Sequence, residues 1–277
     1  MEISLAEEHA YYFIPQISLD TARDRIEKKK SSLFGTLISR PNPTEIQAVS
    51  VESRLQPYWL VSATSRTAYD RQQVYNIPIK GDEVKEVTVL GQRMRLSSKG
   101  NPSFTLNGTE HCLEEHELTS YFDGLSGQKA DLNRFQKFTK TEITDLEHFV
   151  PDGMLVVPPQ MKASAIIRQV LSEVIKPVTK AQIIHEERVD IESLEVNFHP
   201  VYAFEYEWAS KGKRVIVEFD ALLGDSRTGG KKWSDNIKGI LTRDLFFDVT
   251  ADAVGMFVPG GGIAVKLVRA VVDRSKK

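Results

Sequence analysis

Apolar and polar positions alternate with a period of two over residues 201–208. Tyr202, Phe204, Tyr206 and Trp208 fall on one side of the run, and Ala203, Glu205 and Glu207 fall on the other. That is the pattern of a strand buried on one face and wet on the other, and its aromatic content agrees. Ser210-Lys211-Gly212-Lys213 then reverses the chain into Val215-Ile216-Val217-Glu218-Phe219, which predicts a hairpin. Helical spacing appears instead at Ala22 and Ile26, and again at Ile166 and Val170, each pair at i and i+4. A strand-rich stretch contains Val87 and Val89, a turn at Gly91-Gln92 and a return through Met94 and Leu96. Phe104-Thr105-Leu106 then runs into Asn107-Gly108, the dipeptide of a second tight hairpin.

The landmarks recur in order. Phe13-Ile14-Pro15-Gln16-Ile17 before the first helical stretch matches Val157-Pro158-Pro159-Gln160-Met161 before the second. Ile46 and Ala48 match Val189 and Ile191, and Leu55-Gln56-Pro57-Tyr58-Trp59 matches Phe198-His199-Pro200-Val201-Tyr202. Both runs close on a turn, Phe122-Asp123-Gly124-Leu125-Ser126-Gly127 and Phe219-Asp220-Ala221-Leu222-Leu223-Gly224. Such self-similarity points to an internal repeat, with an insertion in the first copy between Thr64 and Leu113. The polar run ending in Pro151-Asp152-Gly153 marks the boundary between copies.

Beyond the second copy, Ser234-Asp235 caps a predicted helix that stops before Pro259, and a second helix follows the glycines at 260–262. Asp244, Asp248 and Asp252 form one acidic stripe, and folding back brings Asp248 toward Arg269 and Asp252 toward Lys266. The rest of this pair is apolar nearly all round, more than one packing face requires.

Composition narrows the classes. At 41% hydrophobic and 27% charged, the chain has material for a sizeable core. A net charge of −2 supplies no global field to gather nucleic acid. The single cysteine, Cys112, excludes an internal disulfide and a four-thiolate zinc site, and suits a reducing compartment. The first residues lack a basic start and an apolar core, so no signal peptide is predicted, and no apolar stretch is long enough to span a bilayer. The expected location is cytoplasmic.

Candidate chemistry is sparse. His111-Cys112-Leu113-Glu114-Glu115-His116 is the densest polar cluster. As a strand it places Cys112, Glu114 and His116 on one face, three ligand types without an evident fourth. Pro259-Gly260-Gly261-Gly262-Ile263-Ala264-Val265-Lys266 lacks the Gly-Lys-Ser/Thr order of a P-loop. Asp123 and Asp220 begin turns, where carboxylates bond backbone amides, and His199 beside Pro200 reads as structural.

A strand ending in Ile-Pro, a helix with an inward Ala and then Pro-Tyr-Trp resembles a group of uncharacterised bacterial proteins that often carry an N-terminal zinc ribbon, here without the ribbon cysteines. The run from His199-Pro200-Val201-Tyr202 to Phe219-Asp220-Ala221-Leu222-Leu223-Gly224 is similar to the closing hairpin of PepSY-like domains. Both resemblances bear on fold and carry no activity.

Together these features predict an α+β fold with two copies of a helix-plus-antiparallel-sheet unit, at 1–138 and 154–230, and a C-terminal helical hairpin at 235–274. The function read from them is a non-enzymatic binding or adaptor protein. Its partner or oligomerisation surface is the hairpin, through Leu245, Phe246, Phe247, Phe257, Leu267 and Val271. The alternative is a peripheral membrane protein whose hairpin inserts shallowly; an enzyme using the 111–116 segment ranks below both. No catalytic residue, metal ligand or cofactor is predicted. A protein partner or self-association is expected, nucleic acid is not, and a membrane surface stays open.

Overall fold

The computed structural model describes residues 1–34, 41–97, 101–149, 151, 153–233, 242–249 and 266–269. Its strands are β1 (Glu2–Leu5), β2 (Glu8–Phe13), β3 (Ile46–Pro78), β4 (Glu86–Val89), β5 (Gln92–Arg95) and β6 (Ser103–Asp123). They continue with β7 (Lys140–Glu142), β8 (Leu155–Val156), β9 (Ile183–Trp208), β10 (Lys213–Asp220), β11 (Ser226–Thr228) and β12 (Lys266–Arg269). Among the described residues four α-helices accompany them: α1 (Leu19–Glu27), α2 (Lys30–Phe34), α3 (Ala163–Val174) and α4 (Arg243–Phe246).

Two strands organise everything else. β3 runs for 33 residues and β9 for 26, several times the usual strand length. They pair antiparallel from Ile46 against Trp208 to Asp70 against Ile183, with irregularities at Ala48/Ser50, Ser62/Ala63 and Ala68/Tyr69. Bulges of this kind let so long a ribbon keep its twist. The other edge of β9 receives β1, β2 and β10 in turn, the first two parallel. The other edge of β3 receives β8 and β6. With β7, β11 and β12 at the margins, the result is one ten-stranded mixed sheet.

This corrects the predicted fold class. The chain is mostly β. The two matched segments do not form separate helix-plus-sheet units, because β3 and β9 hydrogen-bond to each other along nearly their whole overlap. Edge-to-edge pairing satisfies the long rows of backbone donors and acceptors that two isolated sheets would leave open. The polar stretch chosen as a boundary contributes β7 to the same sheet, beside β2.

The C-terminal helical hairpin is corrected too. Between 242 and 249 only one turn, α4, is helical, and Lys266–Arg269 is a strand lying parallel to β1. Val-rich alternation fits a strand as well as a helix face, and the exposed edge of β1 selects the strand. The predicted helical segments at 250–265 and 270–274 lie outside the described residues.

Asn107-Gly108 does not turn the chain; both sit inside β6, opposite Val74 and Gln73. A Cβ on Gly108 would lie 3.0 Å from the Tyr75 ring, and Tyr75 crosses this gap to donate its hydroxyl proton to Glu110 at 2.7 Å. Glycine therefore serves close packing here. The Leu90-Gly91 turn between β4 and β5 does take the paired positive φ values of a tight hairpin, 49° and 77°.

One face of the sheet is apolar and helix-covered. α3 buries Ile166, Ile167 and Val170 against Trp59, Val61, Leu194, Val196 and Phe198. α1, capped by Ser18, buries Ala22 and Ile26 against Tyr202, Phe204, Tyr206 and Phe219. Strand alternation then sends Arg54, Gln56, Tyr58, Asn197 and His199 to the opposite face. Among the described residues, no helix is long and apolar enough to cross a membrane.

Candidate functional site

On the face away from α1 and α3, the β3–β9 ladder is symmetric about one pair. Gln56 faces His199, with Leu55 opposite Pro200 on one side and Pro57 opposite Phe198 on the other. The two Asp turns are placed accordingly. The Asp123 carboxylate accepts the amides of Leu125 and Ser126 at 3.0 and 2.7 Å, and Gly124 donates to the Pro57 carbonyl at 3.0 Å. The Asp220 carboxylate accepts the amides of Leu222 and Leu223 at 2.8 and 2.9 Å, and Ala221 donates to the Pro200 carbonyl at 3.0 Å. Even the approach to the helices matches: the Gly124 carbonyl accepts Gln160 and Met161, and the Ala221 carbonyl accepts Gln16 and Ile17. The matched landmarks thus share a local geometry within the single sheet.

A cavity of about 270 Å³ opens between these turns. Pro57, Tyr58 and His199 line it from the strands, with Asp123 and Asp220 at its sides. Leu132, Arg134 and Phe135 lean over it from the loop after β6. Tyr58, Phe135 and His199 form an aromatic wall, with ring centroids 5.6, 5.1 and 6.1 Å apart for Tyr58–Phe135, Phe135–His199 and Tyr58–His199. Phe13 and Leu222 pack behind Tyr58 and Phe135.

Beneath the cavity lies a buried ion network. Arg54, 0% exposed, donates to Glu218 and to the Lys231 carbonyl at 2.8 Å. Glu218 also accepts Gln56 at 3.1 Å and Arg227 at 2.7 Å. A buried carboxylate with three donors is compensated, whereas removing one partner of such a pair leaves an expensive charge. Burial is the main force lowering the Arg54 pKa; Glu218 and Glu52 oppose it.

Two residues that line the cavity each hold a sealed, uncompensated polar atom. The Tyr58 hydroxyl, on a residue only 1% exposed, has no hydrogen-bond partner among the described residues, and neither does the sealed Nδ1 of His199. Burial raises the Tyr58 pKa, with Glu195 and Tyr121 adding to it. Burial is also the main cause that holds His199 below the ordinary imidazole range; Arg227 pushes the same way, while Asp220 and Asp123 pull back. His199 is therefore a neutral ring beside two carboxylates. Leaving such groups unpaired costs about 1–3 kcal/mol each.

The residues predicted to face a partner lie elsewhere. Phe246 and Phe247 are 0% and 7% exposed and pack into the main core, with Phe247 edge-on to Trp59 at 5.6 Å. Leu245 belongs to α4, Leu267 to β12, and Phe257 and Val271 lie outside the described residues. Asp248 is turned to the start of α3, accepting the Ser164 amide at 3.3 Å and pairing with Lys162 at 3.3 Å. It supplies the cap that Lys162 itself does not provide. Asp252 lies outside the described residues.

The 111–116 segment runs along β6 as a strand. His111 bonds Asp70 at 2.6 Å, Glu114 accepts the Tyr69 hydroxyl at 2.6 Å, and His116 stands 3.8 Å from Glu114. Among the described residues, no group of three or more His, Cys, Asp or Glu side chains is arranged to hold a metal ion.

Sequence reasoning passed over Tyr58, Gln56, Glu218 and Phe135, and assigned Asp123, Asp220 and His199 to structure. One signal was present: Gln56 and His199 are polar residues at matched places in otherwise apolar runs. Comparison of the chain with models of protein families, with curated proteins and with solved structures returned no match.

Proposed function

We propose that this is a non-enzymatic binding protein of the cytoplasm, whose ligand is a small molecule seated between the Asp123 and Asp220 turns. The observation that carries this reading is the cavity of about 270 Å³ that the matched Asp123 and Asp220 turns flank, with His199 in its lining. Concave sites where a few polar groups converge are where small ligands bind. Binding is favoured over catalysis because Asp123 and Asp220 each hold their own turn through Oδ1. Neither is hydrogen-bonded to His199 as a base is to its orienting carboxylate. The adaptor role drawn from surplus apolar side chains at the C-terminus loses two of them, since Phe246 and Phe247 already pack inside the chain.

The test is a fragment screen by thermal shift on the full chain, repeated on Asp220→Asn. Fragments that raise the wild-type melting temperature should raise that of Asp220→Asn less. Identical shifts for every hit in both proteins would remove the reading.

A further inference from the structure

The margins of the sheet are not built alike. β7, β11 and β12 present edges of three or four residues, and short edges offer little to another strand. β6 is 21 residues long, and among the described residues it pairs with β3 alone, in one unbroken register from Ser103 to Asp123. It contains no Lys, Arg or Pro, residues that commonly blunt an exposed edge.

Local hydrogen bonds show which of its backbone groups face outward. Alternate residues of an antiparallel strand turn their amides and carbonyls to opposite edges. Gly124 donates to the Pro57 carbonyl on the β3 side. Asp123 donates outward to the Gln128 carbonyl, and the Tyr121 carbonyl accepts the Ala130 amide. The odd-numbered residues of β6 therefore point outward. At the far end the Ser103 carbonyl accepts the Ser97 amide. Between these two closures, from Thr105 to Thr119, the outward amides and carbonyls meet no strand among the described residues. An unmet row of this length is a template for another strand.

The side chains along the edge select the occupant. Laid antiparallel on a second copy of itself about Leu113, the midpoint of the strand, β6 sets His111 opposite Glu115 and Glu110 opposite His116. Symmetry repeats each of these pairings on the other side of the centre. Cys112 meets Glu114, Thr109 meets Glu117, and no carboxylate faces another. Moving the centre to Cys112 would set Glu110 against Glu114, and moving it to Glu114 would set that carboxylate against its own copy. Like charges directly opposite destabilise a strand pair, so β6 complements itself best about Leu113. The groups concerned are accessible. Leu113 is 52% exposed, and the His111 side chain, 79% exposed, is held by Asp70 through Nδ1 alone.

We propose that two copies of this chain associate edge to edge through β6, antiparallel about Leu113, so that the ten-stranded sheet continues across a two-fold axis. Residues 107–119 of each copy form the ladder, which stops where the Tyr121 carbonyl is already bonded. The proposal does not depend on the cavity being a binding site.

Sedimentation equilibrium of the full chain, up to sub-millimolar concentration, should show a dimer. Leu113→Lys sets two ammonium groups against each other on the axis and should weaken that dimer by at least about tenfold. Circular dichroism shows whether this variant is folded. Cross-linking tests the register without it. Cys112→Ser/Leu113→Cys places two thiols opposite each other with Cα atoms about 5.5 Å apart, within reach of a disulfide, and mild oxidation should give a covalent dimer. Cys112→Ser/Thr109→Cys, whose thiol faces Glu117, should give none. A wild-type chain that stays monomeric overturns the proposal. So does a dimer that ignores Leu113→Lys and gives no Leu113→Cys cross-link, since its interface then lies elsewhere. A cross-link through Thr109→Cys as strong as that through Leu113→Cys overturns the register.

Discussion

Leu55 and Trp59 leave β3 on one side, and Arg54, Gln56 and Tyr58 leave it on the other. The first side meets α3 and is filled mostly by apolar side chains, with the Trp59 indole N–H donating to the Met161 carbonyl at 2.9 Å. The second is equally sheltered yet holds an ion network, an aromatic wall and sealed polar atoms of Arg54, Tyr58, Asn197 and His199 without partners. Apolar burial contributes roughly 1.5–3 kcal/mol for each large side chain, so the helix side supplies stability. The cavity side gives some of it back through desolvated polar groups. A fold that needed only stability would fill both sides alike. On that contrast we propose the apolar face as the one that holds the sheet together and the other as the one that recognises a ligand.

The comparison breaks most visibly on the helix side. Phe198→Ala should destabilise by about 3–5 kcal/mol, as expected for truncating a buried aromatic, and a denaturant midpoint would register it. A loss below about 1 kcal/mol would mean that the helix-covered side does not anchor the sheet. A second substitution compares the two turns. Ala221 carries a Cβ where its counterpart is Gly124, and a Cβ there would sit 2.6 Å from the Pro57 carbonyl oxygen. Gly124→Ala should therefore cost roughly 1–3 kcal/mol, measured by thermal melting, while Ala221→Gly should cost less. Equal effects would show that the turns are not constrained differently.

Much of the helix-covered face was legible in the sequence. The Tyr202, Phe204 and Tyr206 alternation, the inward Ala22 and Ile26, and the Asp turns all follow from local periodicity and turn chemistry, and each is in place. What was not legible was the partner of each strand. Nothing local in Ile46–Pro78 says that it pairs with Ile183–Trp208 instead of closing a sheet of its own, nor that Glu2–Phe13 enters parallel to β9. These are long-range choices made by edges seeking partners. Lys266–Arg269 shows the same ambiguity at smaller scale, with an alternation that serves a strand or a helix face until β1 offers its edge. The cavity was hidden for a related reason. Tyr58, His199, Phe135 and Glu218 are dispersed along the chain, and only the β3–β9 register and the loop after β6 bring them together.

Acidity sharpens the contrast in a smaller way. Because His199 sits below its ordinary pKa in the folded state, the unfolded chain takes up this proton first as pH falls. Its contribution is intact above about pH 6.5 and is lost as the pH drops from there toward the folded value. Wild-type stability should decline more between about pH 7 and pH 5 than that of His199→Gln. Parallel declines would mean that the ring is not held neutral. The smallest effect should come from Tyr58→Phe, which removes an unpartnered buried hydroxyl. This variant should match wild type or exceed it by up to about 1 kcal/mol. A clear loss would show that the hydroxyl has a structural bond.

The most direct measurement is a crystal structure of the full chain soaked with the strongest hit from the fragment screen. The fragment should lie between the Asp123 and Asp220 turns, with a polar atom within hydrogen-bond distance of one of their carboxylates. A fragment bound elsewhere, touching neither turn, would contradict the proposal that this face recognises a ligand.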